Sequence, residues 1–300
     1  MPADRKSVVI TGASSGIGRA CVLRMSRAGW QVFATVRKAE DRARLQAEGA
    51  ARVFPLLMDV EDRLSIAAAA DEVSSQLGGL EGLVNVAGIG MVRPLEYATR
   101  ADLQKIFDIN VFGQVAVTQA FLPLLRKSQG RIVNISSVGA HLAIPFGGLL
   151  NASKSAFGIL SDTLRLELHP FGIRVSTIEP GSITTPAVEK TLGNVEGVIH
   201  ALPEEGQTQY SEMLRRLTRI GMKREMNGSP PEVVAEAVCH ALTSAHPRIR
   251  YRVGKDARLL GALPGILPDW LLDSLRFRIF RFSGPPEAAR NGRSDQPKAA

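Results

Sequence analysis

The residues best placed to do chemistry in this chain are Ser137 and Lys154. Ser137 follows an apolar run, Arg131-Ile132-Val133-Asn134-Ile135, and Lys154 falls in the first turn of a helical pattern from Asn151 to His169. A hydroxyl at a strand end and a cation at a helix start are the means by which several folds build a polar site over a sheet. The position one helical turn before Lys154, on the same face, holds Leu150. Leucine neither gives nor takes a proton.

The elements that must position these groups can be read from the chain in order. Val8-Val9-Ile10 is a short apolar run of the kind buried in a parallel sheet. It runs into Thr11-Gly12-Ala13-Ser14-Ser15-Gly16-Ile17-Gly18 and then a helical pattern through Ala28. Glycines at such a turn let the backbone approach a phosphate, and the helix start offers unpaired N–H groups and a positive dipole end. The spacing Gly-x-x-x-Gly-x-Gly resembles the glycine motif of the short-chain dehydrogenase/reductase family.

Further motifs in the family's order extend that resemblance over roughly residues 7–255. Asn85-Val86-Ala87-Gly88 is similar to the family's Asn-Asn-Ala-Gly, with one position changed. Asp59-Val60 resembles the strand end that contacts adenine, and Pro180-Gly181-Ser182-Ile183-Thr184-Thr185 resembles the loop that cups a nicotinamide, with Ile183 and Thr185 as its contacts. The resemblance also implies a helix-bending role for Asn110 beside Lys154. Its branch, judged from the Ala34-Thr35-Val36-Arg37 strand end and the long C-terminal region, is that of steroid and retinol dehydrogenases.

The cofactor-binding set expected from this reading is Gly12, Ser14, Ser15, Gly16, Ile17, Gly18, Arg37, Lys38, Asp59, Val60, Asn85, Ala87, Gly88, Lys154, Pro180, Gly181, Ile183 and Thr185. The second strand, Gln31 to Val36, ends on Arg37-Lys38, with no carboxylate before Glu40. An acidic residue there would grip a ribose 2′-hydroxyl, whereas cations suit a 2′-phosphate, so NADP(H) is expected over NAD(H). An ordinary solvated basic turn is the plainer alternative.

Strands alternating with helices predict an α/β, Rossmann-like doubly wound sheet, mostly parallel and seven-stranded, with helices on both faces. The reading gives one domain over 1–282, with a substrate lid at 184–227, a helical extension at 256–282 and a disordered tail at 283–300. Composition agrees: 300 residues, 45% hydrophobic and 22% charged, are those of a globular protein. The net charge of +8 comes without a zinc, helix-turn-helix or RNA-binding signature, so no nucleic-acid partner is expected. Cys21 and Cys239 have no metal-ligand spacing, and no metal is expected.

The apolar residues Leu271, Leu272, Leu275, Ile279 and Phe282, accompanied by Arg276, Arg278 and Arg281, make a basic amphipathic pattern. Such a helix suits a membrane surface, through 270–282, or packing within the protein. The expected location is cytoplasmic, with peripheral membrane contact. The helical stretches 108–126 and 151–169 resemble those that pair subunits in the family, which implies a homodimer or homotetramer.

In this family a Ser holds the carbonyl oxygen, a Tyr moves its proton and a Lys one turn beyond lowers the phenol pKa. Here Ser137, Lys154 and Asn110 match, but Leu150 stands where the Tyr is expected. The tyrosines of the chain are Tyr97, Tyr210 and Tyr251, and Tyr210, His141 and His200 are the other proton sources by position. Three readings stay open. One is an NADP(H) oxidoreductase for a bulky apolar alcohol or carbonyl with a non-standard proton donor. Another is an enzyme of different reaction, such as imine or enone reduction or isomerisation. The third is a non-catalytic cofactor-binding partner.

Overall fold

The computed structural model describes residues 6–48 and 52–280. In chain order the elements are β1 (Ser7–Ile10), α1 (Gly16–Arg27), β2 (Gln31–Val36), α2 (Ala39–Ala47), β3 (Val53–Leu57), α3 (Arg63–Gln76), β4 (Gly82–Asn85), α4 (Arg100–Phe107) and α5 (Gly113–Ser128). There follow β5 (Arg131–Ile135), α6 (Gly148–Leu168), β6 (Arg174–Pro180), α7 (Pro186–Leu192), α8 (Val195–His200), α9 (Glu204–Met226), α10 (Glu232–Thr243), β7 (Arg250–Val253), α11 (Ala257–Ile266) and α12 (Asp269–Phe280).

The seven strands form one sheet in the order β3-β2-β1-β4-β5-β6-β7, parallel at every pairing. The chain starts mid-sheet, runs out to β3, then crosses to β4 and fills the other half. Ligands of such sheets bind where that reversal leaves a crevice, beyond the C-terminal ends of β1 and β4.

Period-two alternation splits the strand residues between two cores. Val8, Ile10, Val84 and Val133 pack with Val22, Met25, Val234 and Val238 of α1 and α10. Val9, Leu83 and Ile132 pack with Val73, Val117, Phe121 and Leu125 of α3 and α5. Both faces are therefore covered, which is why the strands read as unbroken apolar runs rather than alternating ones.

Local signals set the helix ends. Asp62 caps α3 by accepting from Leu64 N at 2.9 Å, and Thr99 and Asp102 form a reciprocal capping box on α4. The helical stretch expected from residue 108 is interrupted: Asp108–Phe112 is a π turn between α4 and α5, with Asn110 at its centre. Such an insertion re-aims one side chain without ending the helix.

The segment expected to form a lid, 184–227, contains α7, α8 and α9, with a small apolar cluster of Ile199, Leu202 and Leu214 and with Tyr97, Phe146 and Tyr210 against it. The chain divides into two compact units, through Gly261 and from Ala262 onward, with the boundary inside α11. In the second unit α12 buries Leu272 and exposes Trp270, Phe277 and Ile279. The tail expected at 283–300, and the end of the extension at 281–282, lie outside the described residues.

Candidate active site

The glycine turn after β1 is fixed by close approach. Gly12 and Gly16 have φ of +64° and +53°, a region that favours glycine. A Cβ on Gly18 would stand 2.1 Å from the Gly12 carbonyl oxygen, and one on Gly12 would stand 2.9 Å from Ala87 Cα. The Thr11 hydroxyl accepts from Val86 N at 2.8 Å and Ala87 N at 3.0 Å, tying this turn to the end of β4. Ser15 precedes α1 without capping it through its side chain, and no acidic residue stands in that first turn. The helix start is thus open to an anion.

The other lip is the loop after β6. A Cβ on Gly16 would lie 3.2 Å from Thr185 Cβ, so Thr185 stands across the groove from the glycine turn. Gly181 has no room for a side chain because Asp256 Oδ1 would lie 2.2 Å from its Cβ. Asp256 accepts from Ser182 N and Oγ, each at 3.2 Å, and Glu225 of α9 accepts from Ile183 N at 3.3 Å. Burial pushes the Glu225 carboxyl above the usual range. Ile183 itself is buried in the core shared with α1 and α10. Glu225 and Asp256 are positioning residues that sequence reasoning missed, since each lies more than forty residues from the loop it holds.

Arg37 and Lys38 are exposed just beyond β2, and neither has an ion pair among the described residues. Arg44 of α2 joins them from outside the expected set, donating to the Ser14 carbonyl at 2.8 Å and pairing with Asp41 at 2.7 Å. Asp59 stands beyond β3, where its Oδ1 accepts from Glu61 N at 3.1 Å, and Val60 beside it is buried. Open glycine backbone, an uncapped helix start and nearby cations fit a nicotinamide dinucleotide.

Asn85 does something else with its side chain. Its amide donates to Thr118 Oγ1 at 3.0 Å and to Asn134 Oδ1 at 2.9 Å, and Asn134 donates in turn to Ser161 Oγ at 2.8 Å. All four residues are buried, so this ladder ties β4 and β5 to α5 and α6 through the sheet. Ala87 and Gly88 stay at the groove, and a Cβ on Gly88 would lie 3.5 Å from Lys154 Nζ.

Asn110 is wholly buried. It accepts from Ile89 N at 2.9 Å and donates to Ile89 O and Ser153 Oγ, each at 3.0 Å. The π turn thus pins the loop after β4 to the first turns of α6. Lys154 is buried too, and its Nζ donates to Ile135 O at 2.9 Å. Burial without a carboxylate partner brings its ammonium down from 10.5 to about 8.

Ser137 is half-buried, and its Oγ accepts from Gly139 N at 3.0 Å. Leu150 is half-buried one turn before Lys154.

Of the expected stand-ins for a phenol at position 150, Tyr210 and His141 are engaged elsewhere, as are the hydroxyls of the other two tyrosines. Tyr210 OH donates to Glu96 at 2.7 Å, Tyr97 OH to Gln209 at 3.2 Å, and Tyr251 OH is bonded to His240 at 2.8 Å. His141 is tied to the buried Glu179 at 2.8 Å, and His200 is exposed on α8. Glu179 also takes Arg250 and, at 3.2 Å, Arg252. No cluster of potential metal ligands occurs among the described residues.

Comparison with known proteins agrees with this geometry. Residues 6–195 match the family model described as short chain dehydrogenase. The chain is 37% identical over 288 residues to mouse retinol dehydrogenase 5, covering 92% of this chain and 89% of that one. It is also 37% identical over 283 residues to mouse 17-beta-hydroxysteroid dehydrogenase type 6, covering 89% and 87%. A short-chain dehydrogenase from Streptomyces avermitilis superimposes with a TM-score of 0.71 at 28% identity, over 99% of this chain and all of that one.

Proposed function

The chain belongs to the short-chain dehydrogenase family, and on that premise we propose that it is an NADP(H)-dependent oxidoreductase for a bulky apolar alcohol or carbonyl compound of the retinoid or steroid kind, working without a phenolic proton donor. The observation that carries this reading is Lys154, a buried amine on the Leu150 face of α6 whose hydrogen bond goes to Ile135 at the strand end that precedes Ser137. Relatives named for retinol and for a hydroxysteroid support the substrate class.

The glycine turn and α1 hold the pyrophosphate, Arg37 and Lys38 pair with the 2′-phosphate, and Thr185 closes the nicotinamide end, with Ile183 anchoring its loop in the core. The bound dinucleotide supplies hydride transfer at the carbonyl carbon. Ser137 donates to the carbonyl oxygen. Lys154 carries the proton: an ammonium brought to about 8 by burial titrates near working pH, where general acid–base transfer is efficient. Leu150 adds apolar surface where a bulky substrate is held.

The commitment of all three tyrosine hydroxyls elsewhere favours a second reading, reduction of a C=N or C=C bond, in which no alkoxide is protonated beside position 150. One experiment separates them. NADPH and NADH are titrated by fluorescence, and ketones, enones and imines are assayed with the unaltered protein and with Leu150→Tyr. The first reading expects NADPH to bind more tightly, slow ketone turnover that Lys154→Gln abolishes, and a gain of about 100-fold in Leu150→Tyr. Tighter NADH binding rejects the Arg37 argument. Imine or enone turnover without ketone turnover selects the second reading.

Assembly and location follow as parts of the same reading. Ile159 and Leu166 on α6, with Phe112 at the end of the π turn before α5, are exposed apolar residues that suit a homodimer or homotetramer, which sedimentation measures. Trp270, Phe277 and Ile279 with Arg276 and Arg278 suit peripheral membrane contact, read by co-sedimentation with vesicles. Among the described residues no helix is long and apolar enough to cross a membrane.

A further inference from the structure

A second basic feature lies outside the residues assigned to the dinucleotide. Between α10, β7 and the start of α11 is a cavity of about 440 Å³ whose lining includes Arg248, Tyr251, Arg252, Lys255 and Arg258 and no carboxylate. A cleft of that size takes a small organic molecule rather than a lone ion.

Parts of this cleft are preformed. Tyr251 is 6% exposed, and its hydroxyl accepts from Arg248 N at 2.9 Å while bonding His240 Nδ1 at 2.8 Å. The Arg248 guanidinium stands over the Tyr251 ring, 5.9 Å from its centre. Arg252 is held at Nε by the wholly buried Glu179, 3.2 Å away. Gly254, with φ +109°, turns the chain after β7, and Lys255 N donates to Ser229 Oγ at 3.2 Å.

The charge balance of the cleft is one-sided. Arg248, Lys255 and Arg258 have no ion pair among the described residues. Glu179 only partly offsets Arg252, because it is shared with Arg250 and His141. Like charges gathered round a concave surface repel one another, and a bound anion relieves that repulsion. The four cations come from the loop before β7, from β7, from the turn after it and from α11, which suits an anion with several oxygens rather than a planar carboxylate. Arginine forks match phosphate oxygens in pairs.

We propose that this cleft binds the phosphoryl oxyanion of a phosphate ester, at a site separate from the dinucleotide groove. The ester is either a soluble metabolite or a phospholipid headgroup, and the same chemistry serves both.

The test uses the full chain saturated with NADPH, so that the dinucleotide groove is filled. Calorimetry follows inorganic phosphate, with sodium acetate at equal ionic strength as the comparison. Arg248→Glu with Arg258→Glu is the test variant, and Lys127→Glu at the end of α5 is the control. Saturable phosphate binding that acetate does not reproduce, weakened at least tenfold in the double variant and unchanged in the control, is the expected result. A second arm sediments the protein with phosphatidylcholine vesicles with and without phosphatidic acid. Loss of pelleting on phosphatidic acid vesicles in the double variant assigns the ester to a headgroup, and equal pelleting of both proteins with phosphate binding still weakened in the double variant assigns it to a soluble molecule.

If neither arm responds to the charge reversal, the proposal is overturned. NADPH affinity, measured alongside, is expected to be equal in all three proteins. Should the unaltered chain bind no NADPH, the proposed function fails by itself, and the phosphate arm is read on the free protein.

Discussion

The turn after β1 and the first two turns of α6 both face the loop after β4 and obey different rules. In the glycine turn, backbone meets backbone: Gly18 against Gly12, Gly12 against Ala87, and Thr11 bonded into β4. Nothing there can change without moving the sheet. On α6, Leu150 occupies a half-buried helix position that any good helix former can hold, and Lys154 has no opposing charge. Groups that shape a groove are locked by packing, whereas a group that does chemistry sits where packing is indifferent to its identity. The scaffold therefore stays whole while position 150 carries a leucine.

Breaking the locked side gives the largest expected effect. Gly18→Val forces a Cβ into the Gly12 carbonyl, and NADPH binding is expected to fall more than 100-fold in a fluorescence titration. Gly78→Ala, at a glycine with open space around it, leaves binding unchanged. Circular dichroism on both variants separates a lost groove from a lost fold. Equal binding by Gly18→Val would mean that the turn does not shape the site.

Next in size is the buried ladder behind the site. Asn85→Leu leaves the Asn134 carbonyl without its donor and removes two buried hydrogen bonds, a loss of about 3 kcal/mol at about 1–3 kcal/mol per unsatisfied group. Chemical denaturation measures it. An unchanged midpoint would show that the orphaned Asn85 Oδ1, unpartnered as it stands, already offsets what the ladder contributes.

The permissive side predicts the opposite sign. Lys154 is buried with its ammonium at about 8 instead of 10.5, so below pH 8 the folded chain bears a penalty of about 3 kcal/mol. Between pH 8 and 10.5 the unfolded chain binds more protons, and stability rises with pH. Lys154→Met removes that slope and stabilises the protein at pH 7 by about 2 kcal/mol, after about 1 kcal/mol for the lost hydrogen bond to Ile135. Thermal unfolding across pH 6–10 checks both. A variant less stable than the parent at pH 7 would mean that Lys154 is a structural anchor, and the contrast between the two turns would fail.

The legible part of this molecule divides along the same line. The seven-stranded parallel sheet, the glycine turn and the Pro-Gly loop could be read because their signals are local: apolar runs ended by glycine or small polar residues. The π turn at Asp108–Phe112 could not, since an extra residue in a helix leaves no compositional trace. Nor could Glu225, Asp256 and Arg44, whose partners are distant in sequence. The side chain of Asn85 turned out to serve the sheet interior, a matter of strand facing that a motif match does not decide. Leu150 was legible as a difference, but whether a neighbour compensates depended on where three tyrosine hydroxyls point.

Those hydroxyls supply the smallest test. Tyr210 ties α9 to the segment around Tyr97 through Glu96, and its ring stands edge-on to Phe146 and Tyr97 at 5.9 Å. Phe146 has φ +64°, an uncommon conformation for a bulky residue, four positions before Leu150. Tyr210→Phe keeps the ring contacts and removes only an exposed hydrogen bond, so stability changes by less than about 1 kcal/mol. If Tyr210 only clasps the lid, KM for an apolar substrate rises about twofold and kcat is unchanged. If its hydroxyl instead reaches the reacting oxygen during turnover, kcat falls by about 100-fold or more with KM unmoved. That second outcome would put a phenol back into the site from the lid and make the α6 turn less permissive than its packing suggests.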